Sequence, residues 1–226
     1  MLTFWGHSCF LFQTGGTNIL LDPYFGAIPS DSGIDMQGIR IDYVFISHAH
    51  EDHTGSVMEV MAINPNAVIV AVWEVVEYYS RRGFKTHAMN IGGSNSFPFG
   101  VVKLVLAVHS SSFPDGSHGG QAAGFVFNTP EGVIYFAGDT ALHTDMQLIP
   151  LTCPALDIAI LPIGSNFTMD YQDAVHASNF IRCNRIIGCH YDTFESIRID
   201  REKAVEAFRS AGKDLELMAI GATLTY

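Results

Sequence analysis

Apolar residues along this chain gather in short clusters, not in long continuous runs. Near the start, Thr3–Trp5, Ser8–Gln13 and Asn18–Leu21 are β-like segments. Gly15-Gly16 separates the last two, and Asp22-Pro23 closes the set, which is hairpin chemistry. Tyr43-Val44-Phe45-Ile46 is wholly apolar, as expected of a strand covered on both faces. Val57, Val60 and Met61 then share one face of a predicted helix that Asn64-Pro65 stops. Ala67–Ala71 predicts a second buried strand. Val72, Val75, Val76 and Tyr79 follow at i, i+3, i+4 and i+7, with Arg81-Arg82 and Gly83 closing that helix.

The second half repeats the style. Strand-like runs at Val101–Val108, Gly124–Asn128, Val133–Ala137, Asp157–Leu161 and Arg185–Cys189 alternate with turns and helical stretches. One helix is predicted to start near Asp170. Another starts at Asp200 and carries Ala204, Ala207, Phe208 and Ala211 on one face before Gly212. Strands and helices interleaved in both halves predict a sheet from each half, packed face to face with helices outside. No linker, low-complexity tract or heptad repeat interrupts the 226 residues, so one domain over 1–226 is expected.

Composition narrows the class of partner. Hydrophobic residues make up 48% of the chain and charged ones 15%, enough for a sizeable core. The formal net charge is −11, which argues against a long polyanion, because phosphate backbones need tracks lined with Lys and Arg. Two divalent metal ions would still add four positive charges at one point, enough to hold a small anion. Cys9, Cys153, Cys183 and Cys189 form no C-x-x-C pair and read as reduced thiols. MLTFWGHSCF has no basic segment followed by an apolar one, and no apolar run approaches the ~20 residues of a membrane-spanning helix. A cytoplasmic protein without membrane partners is the expectation.

The chemistry lies in "ISHAHEDHTG", residues 46–55, where three imidazoles and two carboxylates fall within six positions. Crowded titratable groups cost desolvation and repulsion unless something pairs with all of them, and a metal ion does. On a loop leaving a strand, His48 and His50 point the same way and can grip one cation. Asp52 and His53 can reach a second. Neutral imidazole with carboxylate is a ligand set for zinc and similar ions. Four ligands cannot complete two shells, so others must come from distant strand ends. His109 ends "VVKLVLAVH", Asp139 ends the run in "VIYFAGDT", and His190 ends "RIIGCH". Alone, Asp139 reads as a turn or cap residue and His109 as a core histidine. As a set with the cluster they point to metal.

This pattern resembles the metallo-β-lactamase superfamily. The match runs from Phe4 to about His190, and "WGHSCF", "ILLDPYF", "YFAGDT" and "LPIGSNFTM" resemble the branch of small metal-dependent hydrolases related to ascorbate-6-phosphate lactonase. The resemblance implies an α/β fold, a four-layer αβ/βα sandwich of two facing mixed sheets with helices outside. It assigns His48, His50 and His109 to one metal, Asp52, His53 and His190 to the other, and Asp139 to a bridge between them. Asp139 stands where the family's antibiotic-hydrolysing enzymes often have cysteine. The short stretch between His109 and Asp139 leaves no room for the inserted domain of the nuclease members.

The expected function is that of a dinuclear metal-dependent hydrolase, with two divalent ions per chain: Zn first, with Mn, Fe or Ni also acceptable to these ligands. A metal-bridging hydroxide would attack a small, anionic ester, lactone or phosphodiester, with Asp52 taking its proton. The rivals are a non-catalytic metal- or ligand-binding protein on the same scaffold, a metal-dependent nuclease, and di-iron redox chemistry. The last lacks a flavin-binding domain to supply electrons. His7, on an early turn, is a candidate for the pocket or for backing the ligands, with turn packing as its alternative. His118, in the Ser111–Gly120 loop expected at the pocket rim, can touch substrate. Asn166 can line the pocket or cap the next helix. Glu51 reads as a solvated carboxylate and Cys189 as a small core residue. A homo-oligomer remains open.

Overall fold

The computed structural model describes residues 1–30, 32–36 and 38–225. Its first half runs β1 (Leu2–Gly6), β2 (Cys9–Thr14), β3 (Thr17–Leu21), β4 (Tyr43–Phe45), α1 (Glu51–Thr54), α2 (Val57–Ile63), β5 (Val68–Val72), α3 (Trp73–Ser80) and β6 (Thr86–Met89). The second half runs β7 (Ser94–Phe97), β8 (Gly100–Leu106), β9 (Ala123–Thr129), β10 (Gly132–Phe136), α4 (Ile149–Thr152), β11 (Ile158–Pro162), α5 (Tyr171–Phe180), β12 (Arg185–Cys189), α6 (Arg201–Ser210), β13 (Asp214–Glu216) and β14 (Thr223–Leu224).

Two seven-stranded mixed sheets result, in the orders β14-β1-β2-β3-β4-β5-β6 and β13-β12-β11-β10-β9-β8-β7. Each half builds an antiparallel meander and then adds parallel strands across helical connections. The sheets face each other across an aromatic core. Phe45 of β4 meets Phe125 and Phe127 of β9 at centroid separations of 5.3 and 5.0 Å, and Phe12 of β2 meets Phe127 at 5.4 Å. Near-perpendicular edge-to-face pairs of this kind each add about 0.5–1.5 kcal/mol beyond their buried area. A second apolar cluster joins the β7–β13 sheet to the outer helices through Leu161, Ala174, Ala177, Ile186 and Phe208.

The predicted helix starts hold. Asp170 accepts from the N–H groups of Gln172 and Asp173, both at 2.8 Å, and Asp200 accepts from Lys203 N at 3.1 Å. Gly83, at φ +85°, follows α3 as its sequence position implies. The pattern missed β6, β7, β13 and β14. β6 (THAM) and β7 (SNSF) are edge strands with little fully buried surface, so no apolar alternation marks them.

Strand directions position the site. β1 and β3 both pair antiparallel with β2, so they run the same way, and β3 and β4 are parallel. In the other sheet β8 and β10 both pair antiparallel with β9, while β10, β11 and β12 are parallel. The C-terminal ends of β1, β3 and β4 therefore share one sheet edge, and those of β8, β10 and β12 share one edge of the facing sheet.

Candidate metal centre

His48 and His50 leave β4 on an extended loop, and His50 stands at the start of α1 with ψ 153°. The cluster is thus part loop and part helix: Asp52 and His53 lie in α1, whose first turn closes when His53 N and Thr54 N donate to His50 O at 3.1 and 3.0 Å. Two distant ends are tied together beside it. Val108 N donates to Thr140 Oγ1 at 3.0 Å and Ala141 N donates to Val108 O at 3.1 Å, which holds His109 near Asp139. Gly138, at φ +61°, is required here: a Cβ would stand 2.7 Å from Ser47 Cβ and 3.0 Å from Ala123 O.

Donors converge in two adjoining sets, His48 with His50 and His109, and His7 with Asp52, His53 and His190, and a third grouping of Asp22 with His48 and His53 lies behind them. His48 Nε2 lies 3.0 Å from His50 Nδ1, and Ser110 Oγ lies 3.3 Å from the other ring nitrogen of His50. Asp139 Oδ2 stands between the sets, 3.6 Å from His109 Nε2, 3.4 Å from His53 Nε2 and 2.9 Å from His190 Nε2. Asp52 Oδ2 is 3.6 Å from His190 Nε2, and Asp52 Oδ1 is 3.8 Å from His53 Nε2. All seven sequence-predicted ligand positions are therefore brought to one place.

The arrangement passes a chemical test for metal. His53 Nε2, His190 Nε2 and Asp139 Oδ1 are buried and have no hydrogen-bond partner, although carboxylate oxygens stand within 3.4 Å of both imidazole nitrogens. Buried polar atoms that converge on a common space without a hydrogen-bond partner are costly unless a cation satisfies them. Burial pushes the Asp139 carboxyl up, but the charges of His53 and His190 outweigh it and hold it well below the carboxylate range. Burial drives His48 well below the usual imidazole range. Burial also pulls on His190, yet Asp139 and Asp52 carry it up to about 9. His53 is likewise raised, by Asp139 and Asp22 against burial.

Two residues that sequence reading missed orient the donors. Asp22, read as a turn residue, is fully buried just past β3. Its Oδ2 accepts from His53 Nδ1 at 2.7 Å and from Ser47 Oγ at 2.5 Å, and its Oδ1 accepts from Ser47 N at 2.7 Å. Ser47 Oγ, in turn, accepts from His48 Nδ1 at 3.0 Å. One carboxylate thereby fixes both imidazoles with Nε2 free and aimed inward. The signal was present: Asp22 ends an apolar run, as Asp139 does.

His7, Asp22 and His190 also share backbone with positive φ, +56°, +42° and +54°, a conformation non-glycine residues rarely adopt outside constrained sites. The three pocket candidates separate. His7 is buried with its Nε2 3.0 Å from Asp52 Oδ2, so it belongs to the donor cluster, and it also lines a cavity with Tyr191, Thr193 and Arg201. His118 Nδ1 accepts from Gly120 N at 3.0 Å, and the side chain lines a surface cleft with Glu74, Tyr78, Arg82 and Asp115, on the α3 side of its loop. Asn166 is exposed at φ +59°; it does not cap α5, because Asp170 does. Glu51 is exposed, and Cys189 is fully buried in the core. The Ser111–Gly120 loop meets the centre at its two ends, where Ala49 N donates to Ser111 Oγ at 3.2 Å and Gly119 packs against Ala49. Its middle is fastened to α3 by Phe113 stacked on Tyr78 at 3.6 Å.

Known proteins share this architecture over its length. A family model described as the beta-lactamase superfamily domain matches residues 1–190. A UPF0173 metal-dependent hydrolase of Flavobacterium johnsoniae is 50% identical over 223 residues, covering 99% of this chain and 98% of its own. One of Methylacidiphilum infernorum is 39% identical over 222 residues, covering 98% and 97%. The solved structure of Igni18, a metallo hydrolase from Ignicoccus hospitalis, superposes with a TM-score of 0.89 at 32% identity, covering 100% of this chain and 97% of that one. With its donors gathered between two facing sheets, the family model matched over residues 1–190 and relatives matched over 98–99% of its length, the chain belongs to the metallo-β-lactamase superfamily, among the small metal-dependent hydrolases.

Proposed function

We propose that the protein is a dinuclear metal-dependent hydrolase acting on a small anionic ester, lactone or phosphodiester. The observation that carries the reading is the position of Asp139 Oδ2, within 3.6 Å of imidazole nitrogens from both donor sets. His48, His50 and His109 would hold one ion, Asp52, His53 and His190 the other, and Asp139 both. Divalent ions at such a site supply a lowered water pKa and a Lewis acid for the attacked oxygen.

The chain's own groups supply the rest. Asp22 and Ser47 engage His53 and His48 through Nδ1, which leaves Nε2 of each as the nitrogen that would hold an ion. Asp52 has the most exposed side chain of the donors that flank Asp139, at 27%, against 0–1% for His53 and His190. That exposure suits it to accept a proton from an attacking water and hand it to a departing group. Val108, Phe194 and Trp73 are exposed apolar residues on segments that follow site-edge strands β8, β12 and β5, and they offer a surface for the organic part of a small substrate. The −11 charge supports a small substrate over a nucleic-acid strand.

The test pairs elemental analysis of protein purified without chelator with a panel of small esters, lactones and bis-aryl phosphates, run beside structured RNA and single-stranded DNA. Two ions per chain and turnover among the small substrates are expected. Failure to bind metal after reconstitution, or salt-sensitive cleavage of the polymers alone, would overturn the reading.

A further inference from the structure

We infer that His7 is itself a ligand of the second ion, donating through Nε2 beside Asp52, His53 and His190. This rests on the two-ion reading above and extends its ligand set by a residue that follows the first strand, β1.

Position is the first argument. His7 directly follows β1, whose C-terminal end lies at the same sheet edge as those of β3 and β4, so it obeys the rule that places the other donors. A register shift between Phe4 and Gly6, with Gly6 at φ +110° and His7 at φ +56°, bulges the β1–β2 turn. His7 O accepts from His190 N at 2.9 Å, and the two rings lie 4.2 Å apart, so His7 and His190 are fixed relative to each other.

Donor spacing is the second. One atom each from His7, Asp52, His53 and His190 all lie within 4.8 Å of one another. Two donors each about 2.1 Å from one ion stand about 3.0 Å apart at a right angle and about 3.4 Å at the tetrahedral angle. His7 Nε2 to Asp52 Oδ2 is 3.0 Å and His190 Nε2 to the same oxygen is 3.6 Å, which leaves both imidazoles and the carboxylate within reach of one ion.

Tautomer is the third. Thr193 Oγ1 lies 2.9 Å from His7 Nδ1, and its hydroxyl hydrogen is directed to Tyr191 O at 3.4 Å. That arrangement leaves the Thr193 oxygen to accept from Nδ1–H, the tautomer in which Nε2 can hold an ion beside the carboxylate of Asp52. An ion held beside both atoms would take the Nε2 lone pair and the Asp52 carboxylate together. Ligating imidazoles are held in this way, with the far N–H on an oxygen acceptor. With Asp139 the second ion then has five protein donors. That exceeds the four of a tetrahedral zinc site and favours ions that accept five or six, such as Mn or Fe.

The experiment loads ¹⁵N-histidine-labelled protein with ¹¹³Cd and looks for one-bond coupling to His7 Nε2, assigned by its loss in His7→Gln. In parallel, metal titrations compare wild type, His7→Ala and His7→Gln, with circular dichroism confirming the fold. Glutamine keeps an N–H that can donate to Asp52 but is a poor ligand. A positioning role would therefore be rescued by glutamine, and a ligand role would not. Coupling at His7, with at least tenfold weaker binding of the second ion in both variants and the first ion unchanged, is expected. Two ions bound with no coupling at His7, or wild-type affinity in His7→Gln, would overturn this inference alone. Uptake of only one ion by the wild-type protein would overturn it together with the two-ion reading.

Discussion

Replacing Asp22 by asparagine changes one atom and should disable both halves of the metal centre. The backbone decides how the amide sits. Ser47 N–H donates to Oδ1 at 2.7 Å and cannot reverse, so the asparagine oxygen must take that place and its NH₂ the place of Oδ2. The NH₂ then faces His53 Nδ1 at 2.7 Å and Ser47 Oγ at 2.5 Å, both of which donate to Asp22 in the native protein. Both can reverse. His53 moves its hydrogen to Nε2, toward Asp139. Ser47 turns its hydroxyl hydrogen to His48 Nδ1, 3.0 Å away, which puts the imidazole hydrogen on His48 Nε2. Each imidazole then presents N–H where a ligand lone pair is needed. Loss of a partner that orients a ligand costs roughly 10–100-fold in metal affinity, about 1.4–2.8 kcal/mol at 1.4 kcal/mol per decade. Here one substitution should exact that from each ion. The number of hydrogen bonds is kept, so the metal-free fold should lose no more than about 1–2 kcal/mol. Asp22→Ala instead strands three buried donors at about 1–3 kcal/mol each, which is enough to unfold a typical domain. The assay is titration of chelator-treated protein against a chromophoric chelator at pH 7.5, with urea unfolding of the metal-free forms. A folded Asp22→Asn protein that holds both ions within threefold of wild type would refute the reasoning.

Asp139→Asn should weaken both ions and cut turnover by orders of magnitude with the fold intact, whereas His190→Ala should mainly release one; near wild-type turnover with two ions in Asp139→Asn would remove the bridge. In the metal-free protein His190 is raised from about 6.5 to about 9 and His53 is raised as well, so metal uptake at pH 7 should expel protons, and affinity should climb with pH until about 9. The same upward shifts stabilise the metal-free fold fully below about pH 6.5, and that stability should fade as pH rises through about 9. Calorimetry in buffers of different ionisation enthalpy reads the proton count, and uptake without proton release would contradict it. Gly138→Ala combines a positive φ, about 1–2 kcal/mol, with a Cβ 2.7 Å from Ser47 Cβ, so thermal unfolding should show about 2–4 kcal/mol of destabilisation; an unchanged melting temperature would contradict that close approach.

The amino-acid pattern alone determined the sheets' inner strands, because strands covered on both faces are apolar runs such as Tyr43–Phe45 and Ile158–Pro162, too short and too closely bounded by turn residues for a buried helix. It also offered the seven ligand candidates, since His48, His50, Asp52 and His53 crowded together, with His109, Asp139 and His190 at strand ends, cost too much as a set without a common partner. The edge strands β6 and β7 carry no such mark, because solvent takes one of their faces and polar residues suffice. What only the tertiary structure decided is which polar groups meet. Asp22 reads as turn chemistry until β3 and β4 pair in parallel and set it against Ser47 and His53. His7 reads as a pocket residue, a residue backing the ligands or turn packing until β1 aligns with β3 and the facing sheet brings Thr193 and His190 to its two sides. Local sequence fixes a residue's periodicity and backbone preference, whereas a hydrogen bond between positions 7 and 193 exists only after both sheets have closed on their aromatic core.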